Sequence, residues 1–322
     1  GLGDVNGDGI NDIAVGALRD DDNIDNRKNK GAVYILFLQA NGAVLSHQKI
    51  SESSGNFGQP LKSIGHCGSD IAGIGDLNGD GIPDIAIGNE WDKKGGKSKS
   101  GSVWITFLEN DGTVKSVREI SNDSGDFPPE MLQRADYFGS AVASAGDIDG
   151  DGVNDLAVGA NGTNLGGSNR GVLYILLLNT DGSVKGFTTI GDDTGGGPST
   201  IQNNDLFGTS AASLGDVNGD NVPEILVGAY KRDHPFGAND AGSFWLMYMD
   251  STGNVLSHQE FGNNAVNFDD SLKVRDYTGT GMGSLGNFAG DCFNDAIIVG
   301  AGKAEPTPPD DTKLDYGAAW II

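Results

Sequence analysis

Cysteine is scarce in this chain, 2 residues in 322, and the pair Cys67 and Cys292 stand at non-equivalent places in the pattern described below. No disulfide framework follows from them, and free buried thiols are expected. Histidine is little commoner, with 4 residues. His47 and His258 share a Ser-His-Gln context, and neither His66 nor His234 has a nearby nucleophile or paired carboxylate in a catalytic pattern. Spacing therefore nominates no Ser/His/Asp or Cys/His arrangement, and no enzyme activity is expected. Cations are short as well: Lys+Arg is 21 against Asp+Glu 45, a formal net charge of −24. Such a surface repels phosphate backbones and anionic lipid, which argues against nucleic acid as a partner. No stretch approaches the roughly 20 apolar residues of a membrane span, so no direct membrane insertion is expected. Helical periodicity over ten residues is missing too.

Glycine, in contrast, is abundant, 52 of 322, and hydrophobic residues make up 37%. Many turns thus accompany enough apolar material for a core. Length alone allows two average domains or one large repeat architecture. A fixed period decides between them. The segment Gly3-Asp4-Val5-Asn6-Gly7-Asp8-Gly9-Ile10-Asn11-Asp12 recurs from Gly75, Gly146 and Gly215, and in eroded form from Gly286. The leading residues Asp4, Asp76, Asp147, Asp216 and Asn287 give spacings of 72, 71, 69 and 71. No targeting segment is visible, but the chain opens inside a motif, so it reads as a mature or excerpted part of something longer.

After each acidic segment comes a short apolar run ending in Gly, such as Ile13-Ala14-Val15-Gly16 and Leu156-Ala157-Val158-Gly159. A variable polar connection follows, then a second run opened by Gly31, Gly101, Gly171, Gly242 or Gly317. Three residues after that Gly stands an aromatic: Tyr34, Trp104, Tyr174, Trp245 and Trp320. Their place inside apolar strands points to core packing between repeats rather than to sugar-stacking platforms. Runs of four to eight residues, rich in Val, Ile and aromatics and bounded by Gly, Asn and Asp, are strands. Turns at Asn41-Gly42, Asp111-Gly112, Asp181-Gly182 and Thr252-Gly253 lead into polar, alternating outer strands. A run of small residues, such as Phe138–Ala145 and Phe207–Leu214, precedes each acidic loop and suits strands crowded at a narrow axis. Four strands per repeat make a β-propeller blade, and blades must stack because one such sheet cannot bury both faces. A sandwich would not need the same aromatic at the same place in every unit. The expectation is an all-β β-propeller over 1–322, with repeats near 1–66, 67–137, 138–206, 207–277 and 278–322. The first repeat lacks its inner strand and the last its outer strand, which leaves two readings: most of a five-bladed ring, or an excerpt from a larger one.

The acidic loop carries the chemistry. In Asp4-x-Asn6-x-Asp8-Gly9-x-x-Asp12, oxygen-bearing side chains stand at positions 1, 3, 5 and 9, and the Ile10 carbonyl can join them at position 7. Gly at position 6 permits the sharp turn, as at the start of an EF-hand loop. Carboxylates with carbonyl oxygens suit calcium; magnesium wants a smaller octahedral cage, and zinc would bring Cys or His. Loop two (Asp76, Asn78, Asp80, Ile82, Asp84) and loop three (Asp147, Asp149, Asp151, Val153, Asp155) are complete. Loop four (Asp216, Asn218, Asp220, Val222, Glu224) has Asn221 in place of Gly and is expected to bind more weakly. Loop five, Asn287–Asp295, carries Ala289 and Cys292 at key places and is expected to be empty or weak. Three to four calcium ions are therefore expected, each stabilising the fold by mass action.

Phe138-Gly139-Ser140 and Phe207-Gly208-Thr209 before the loop, with Val-Gly-Ala after it, resemble the FG-GAP repeat of integrin α-subunit propellers. The resemblance covers essentially the whole chain. It departs at Cys67 and Thr278, which stand where the motif has Phe, and in the longer repeat. It implies calcium loops between the inner two strands of a blade and a role in adhesion or recognition. The expected function is a non-catalytic, calcium-stabilised module, extracellular or at the cell surface, for adhesion, protein–protein recognition or assembly. Its partners would be an extracellular protein, a glycan, or copies of itself. The connections Arg19–Lys30, Trp91–Ser100 and Lys231–Ala241 would form the binding face. Alternatives are a carbohydrate-binding propeller, which needs aromatics on exposed loops, and an accessory propeller of a larger secreted enzyme. Asn122-Asp123-Ser124 and Asn161-Gly162-Thr163 match the glycosylation acceptor pattern.

Overall fold

The short β-branched runs pair locally, because each is followed within a few residues by a turn that returns the chain beside it. The structure, a computed structural model, describes residues 1–21, 29–61, 65–124, 127–233, 239–262, 276–284, 297–301 and 318–321, the last two stretches as backbone. All the regular elements described are strands, and they form five sheets. The first holds β1 (Ile13–Gly16), β2 (Val33–Leu38) and β3 (Val44–Ile50). The second holds β4 (Ile71–Gly75), β5 (Asp84–Asn89), β6 (Ser102–Leu108) and β7 (Val114–Ile120). The third comprises β8 (Phe138–Gly146), β9 (Asp155–Ala160), β10 (Val172–Leu178) and β11 (Val184–Ile190). The fourth comprises β12 (Ser210–Gly215), β13 (Glu224–Ala229), β14 (Ser243–Met249) and β15 (Val255–Phe261). The fifth is β16 (Thr278–Ser284), β17 (Ile297–Ala301) and β18 (Ala318–Ile321). Strands pair in chain order, the meander of a propeller blade, and the chain is an all-β β-propeller.

The chain divides into two compact units: Gly1–Gly146 with Asp151–Val158 and Leu176–Phe187, and Asp147–Gly150 with Gly159–Ile175 and Thr188–Ile322. The division runs through the third sheet. Within the first unit, Val33, Ile35, Phe37, Ile85, Ile87 and Trp104 pack in one core. In the second, Leu226, Phe244 and Leu246 do the same with Ala212 and Leu214. Of the repeated aromatics, Trp104, Tyr174 and Trp245 are buried, as core packing requires. Tyr34 departs from that expectation: it is half-buried, and its hydroxyl donates to Asp20 Oδ2 at 3.2 Å. The Trp320 side chain lies outside the described residues.

Neighbouring sheets meet backbone to backbone. Gly31, Gly101, Gly171 and Gly242 each form a parallel bridge with the first residue group of the next repeat, at Cys67, Phe138, Phe207 and Thr278 respectively. Cys67 and Thr278 can replace the motif's Phe because this junction is made by backbone groups. Gly101 has φ +88°, and a Cβ there would sit 2.0 Å from the Phe138 carbonyl oxygen. On Gly88 a Cβ would lie 2.2 Å from the Gly139 carbonyl oxygen. Gly101→Ala combines left-handed strain with a backbone clash, so it is expected to lower unfolding free energy by at least about 2 kcal/mol. Urea denaturation of the variant would measure this, and an unchanged midpoint would show that the junction yields easily.

Cys67 is buried and free, and burial pushes its thiol up to about 12. Cys292 lies outside the described residues. Asn122 is buried, its Nδ2 donates to the Leu132 carbonyl at 2.7 Å, and its Oδ1 accepts from Leu132 N at 2.9 Å. That amide closes the 121–132 connection and is not presented as a glycosylation acceptor, a point the tripeptide pattern does not carry. Asn161 is partly exposed.

Candidate metal loops

Loops two, three and four each join the first two strands of a blade, loop one leads into β1, and the course of each is set by its own side chains. Asp4 Oδ1 accepts from Gly7 N at 2.8 Å and Asp8 N at 3.0 Å, while Oδ2 accepts from Gly9 N at 2.7 Å. Asp76 receives Gly79 N, Asp80 N and Gly81 N in the same way, and Asp216 receives Gly219 N, Asp220 N and Asn221 N. Three N–H groups converge on the position-one carboxylate; for Asp216 they lie among the causes that put it below the usual range, led by the bond from Asn221 N. At position 3, Asn6, Asn78 and Asn218 accept from the N–H of position 5, and position 5 accepts from the N–H of position 7. Position 6 is left-handed throughout: Gly9 φ +87°, Gly81 φ +88°, Gly152 φ +87° and Asn221 φ +70°. Asn thus supplies the turn where loop four lacks Gly.

Position 9 behaves differently. Asp12, Asp84, Asp155 and Glu224 are fully buried. Asp12 Oδ2 accepts from Val5 N and its Oδ1 from Leu38 N, both at 3.0 Å. Asp84 repeats this with Leu77 N and Leu108 N, each at 3.1 Å, and Asp155 Oδ1 accepts from Leu178 N at 2.9 Å. Those leucines end β2, β6 and β10. At Leu38 and Leu108 a β-bulge interrupts the hairpin register, so the N–H is free to turn to the carboxylate. Glu224, one methylene longer, accepts from Val217 N at 2.8 Å and from Asn218 Nδ2 at 2.9 Å. Burial pushes Asp84 up to about 6 against the pull of its two N–H bonds, and the charges of Asp80 and Asp76 add to the rise. Glu224 is raised mainly by burial also, with Asp220 and Asp216 contributing. A carboxylate so placed gains from a nearby cation, which would reverse the repulsion from positions 1 and 5.

In loop three the side chains gather as a hard cation requires. Asp147, Asp149 and Asp151 each offer a carboxylate oxygen, and these lie within 4.8 Å of one another. Asp155 is not in that group; it is drawn to Leu178 N instead. Each carboxylate oxygen has two lone-pair sites, so one N–H bond leaves the other free for a metal. Loop five lies outside the described residues.

Two further groups near the loops are not marked by the motif. Lys115 Nζ stands 2.8 Å from Asp80 Oδ2, and Lys185 Nζ pairs with Asp151 Oδ2. The hydrogen bond from Lys115 is the main cause holding Asp80 below the usual carboxylate range. Their only sequence signal is the alternation at the second residue of the outer strands, Leu45, Lys115, Lys185 and Leu256.

At the opposite end of the second blade, His66 stacks on Trp91 with centroids 4.1 Å apart, and Lys99 Nζ lies 3.7 Å from the Trp91 centroid. His66 is also left-handed, as are Tyr137, Leu206 and Tyr277 at the same place in the next repeats. Burial, with the charges of Arg19 and Lys99, lowers the His66 pKa, so the ring is neutral at physiological pH.

The chain matches the family model described as FG-GAP repeat at residues 1–36, 68–106, 138–176 and 207–247. It is 30% identical over 233 residues to integrin alpha pat-2 of Caenorhabditis elegans, an alignment covering 71% of this chain and 17% of that protein. It is 36% identical over 163 residues to integrin alpha-IIb of Homo sapiens, covering 50% of this chain and 14% of the relative. The chain thus spans about a sixth of the length of these relatives. Among solved structures, a chain in a crystal structure of BBS1N in complex with ARL6DN aligns over 93% of this chain and 74% of its own, at 13% identity and a TM-score of 0.42, too low to bear on the fold.

Proposed function

Since this chain belongs to the FG-GAP repeat, integrin α-like family of β-propellers, we propose that it is a calcium-stabilised, non-catalytic module for adhesion, recognition or assembly outside the cell. The carrying observation is the division of labour within each blade. In the four-stranded sheets acidic loops join the first strand to the second at one end, and the variable connections between the second and third strands lie at the other; in the first sheet the loop leads into β1 and the connection follows it. Asp4, Asn6, Asp8 and Asp12, with Ile10 as carbonyl donor, would hold one ion; the equivalent residues of loops two, three and four would hold the rest. The ion would supply positive charge among the three or four carboxylates of a loop, and the chain supplies the turn that presents them.

The working face is then the set of variable connections, rigidly presented by the sheets. Its partner is an extracellular protein, a glycan, or a second copy of the chain. A protein partner is favoured over a sugar-stacking one, because the aromatic on the Trp91–Ser100 connection is already stacked with His66 and faced by Lys99. A glycan array alongside pull-down from extracellular matrix, each run in calcium and in chelator, tests this reading. Calcium-dependent capture of a protein is the expected result. A strong single-sugar hit would instead favour the lectin alternative.

A further inference from the structure

The bulge that frees the Leu38 and Leu108 N–H groups inserts one extra residue into the outer strand of the first, second and fourth sheets. In the first sheet Phe37 pairs with Ser46 and Leu38 with Val44, so Leu45 is the extra residue. The same reading gives Lys115 in the second sheet and Leu256 in the fourth. In the third sheet Lys185 has the same place, second in β11. The blades thus fall into two classes. Where the residue is lysine, its ammonium reaches the position-five carboxylate of the blade's own loop: Lys115 to Asp80 at 2.8 Å, and Lys185 to Asp151. Where it is leucine, the side chain is exposed, 57% at Leu45 and 67% at Leu256, and it offers Asp8 and Asp220 no charge.

We propose that this residue sets the calcium affinity of each loop: Lys115 and Lys185 are tethered competitors for Asp80 and Asp151, and Leu45 and Leu256 leave Asp8 and Asp220 to the ion. The inference rests on the metal-binding reading above and deepens it. An ammonium at the oxygen a calcium ion would take must be displaced before the ion binds, and it also lowers the negative charge that attracts the ion. The same ammonium relieves repulsion among the carboxylates when no ion is bound. Loop three, with four acidic side chains at Asp147, Asp149, Asp151 and Asp155, carries the largest charge and has such a lysine. Loops one and four would therefore fill first as calcium rises, and loops two and three later. This order differs from the sequence expectation, which ranks loop four weaker because Asn221 stands in place of Gly.

Calorimetric calcium titration of the full chain, with melting in chelator, tests the proposal. In Lys115→Leu/Lys185→Leu the weaker class of sites is expected to tighten by roughly two- to fivefold, the range of an exposed ion pair. The same variant should melt no higher than wild type in chelator, since its empty loops lose their counter-ions. Leu45→Lys/Leu256→Lys should weaken the tighter class by a similar factor. Lys93→Leu/Lys231→Leu, which removes two charges at the other end of the blades, should leave the titration unchanged. A lysine that only fastened the outer strand would give the opposite sign, weaker calcium binding on removal. Unchanged or weaker binding by Lys115→Leu/Lys185→Leu, or an equal gain in the Lys93/Lys231 control, overturns this inference while leaving the metal reading intact. A wild type that takes up no calcium overturns both.

Discussion

Moving this chain from millimolar calcium into excess chelator is expected to lower its melting temperature by about 10 °C. The estimate follows from mass action on the native state. A site whose calcium is tenfold above its dissociation constant contributes about 1.4 kcal/mol, so three or four loops contribute about 5 kcal/mol together. For a chain of this size each kcal/mol moves the midpoint by roughly 2 °C. The direction has a structural cause. Asp84 and Glu224 are buried with their carboxyls pushed up by desolvation and by the neighbouring acidic side chains of their loops, a repulsion that a bound cation removes. Differential scanning calorimetry at fixed ionic strength checks the prediction, with magnesium as the comparison ion. A midpoint that does not move between calcium and chelator would remove the metal from the account.

Asp84→Asn is expected to destabilise the chain by about 3 kcal/mol, and to do so in chelator as well as in calcium. Both carboxylate oxygens of the buried Asp84 accept backbone N–H groups, Leu77 N on one side and Leu108 N on the other. An amide offers one oxygen and one NH2, so one of the two backbone donors would face another donor inside the protein. The same change at position 5, Asp80→Asn, leaves Oδ1 to accept from Ile82 N and alters an oxygen near the surface. It is expected to change stability in chelator by no more than about 0.5 kcal/mol while weakening calcium binding. Urea titrations of the two variants in chelator separate the roles. Equal effects at both positions would mean that position 9 serves only as a ligand.

The motif presents positions 1, 3, 5 and 9 as four equivalent ligands, and the structure separates them. Positions 1, 3 and 5 are local: their bonds reach two to five residues along the chain, so loop sequence suffices to place them. Asp12, in contrast, bonds Leu38, and Asp84 bonds Leu108, across 26 and 24 residues. That contact depends on a bulge in the hairpin of β2 with β3 and of β6 with β7, which no motif position records. Lys115 meets Asp80 across 35 residues for the same reason. Asn122 offers the converse case, a legible acceptor tripeptide whose amide is spent on Leu132.

By itself the sequence determined the repeat, the strands, the turns and the acidic loops, because each rests on periodicity or on turn chemistry confined to about ten residues. It also marked the aromatics that fill the core at Trp104, Tyr174 and Trp245. Only the tertiary structure decided which carboxylate belongs to the framework and which loops carry a lysine, and that Cys67 and Thr278 can stand in for phenylalanine at a junction of backbone groups. The physical reason is pairing register. A one-residue bulge chooses which N–H turns away from its neighbouring strand and which side chain turns toward the loop, and register is a relation between strands rather than a property of either.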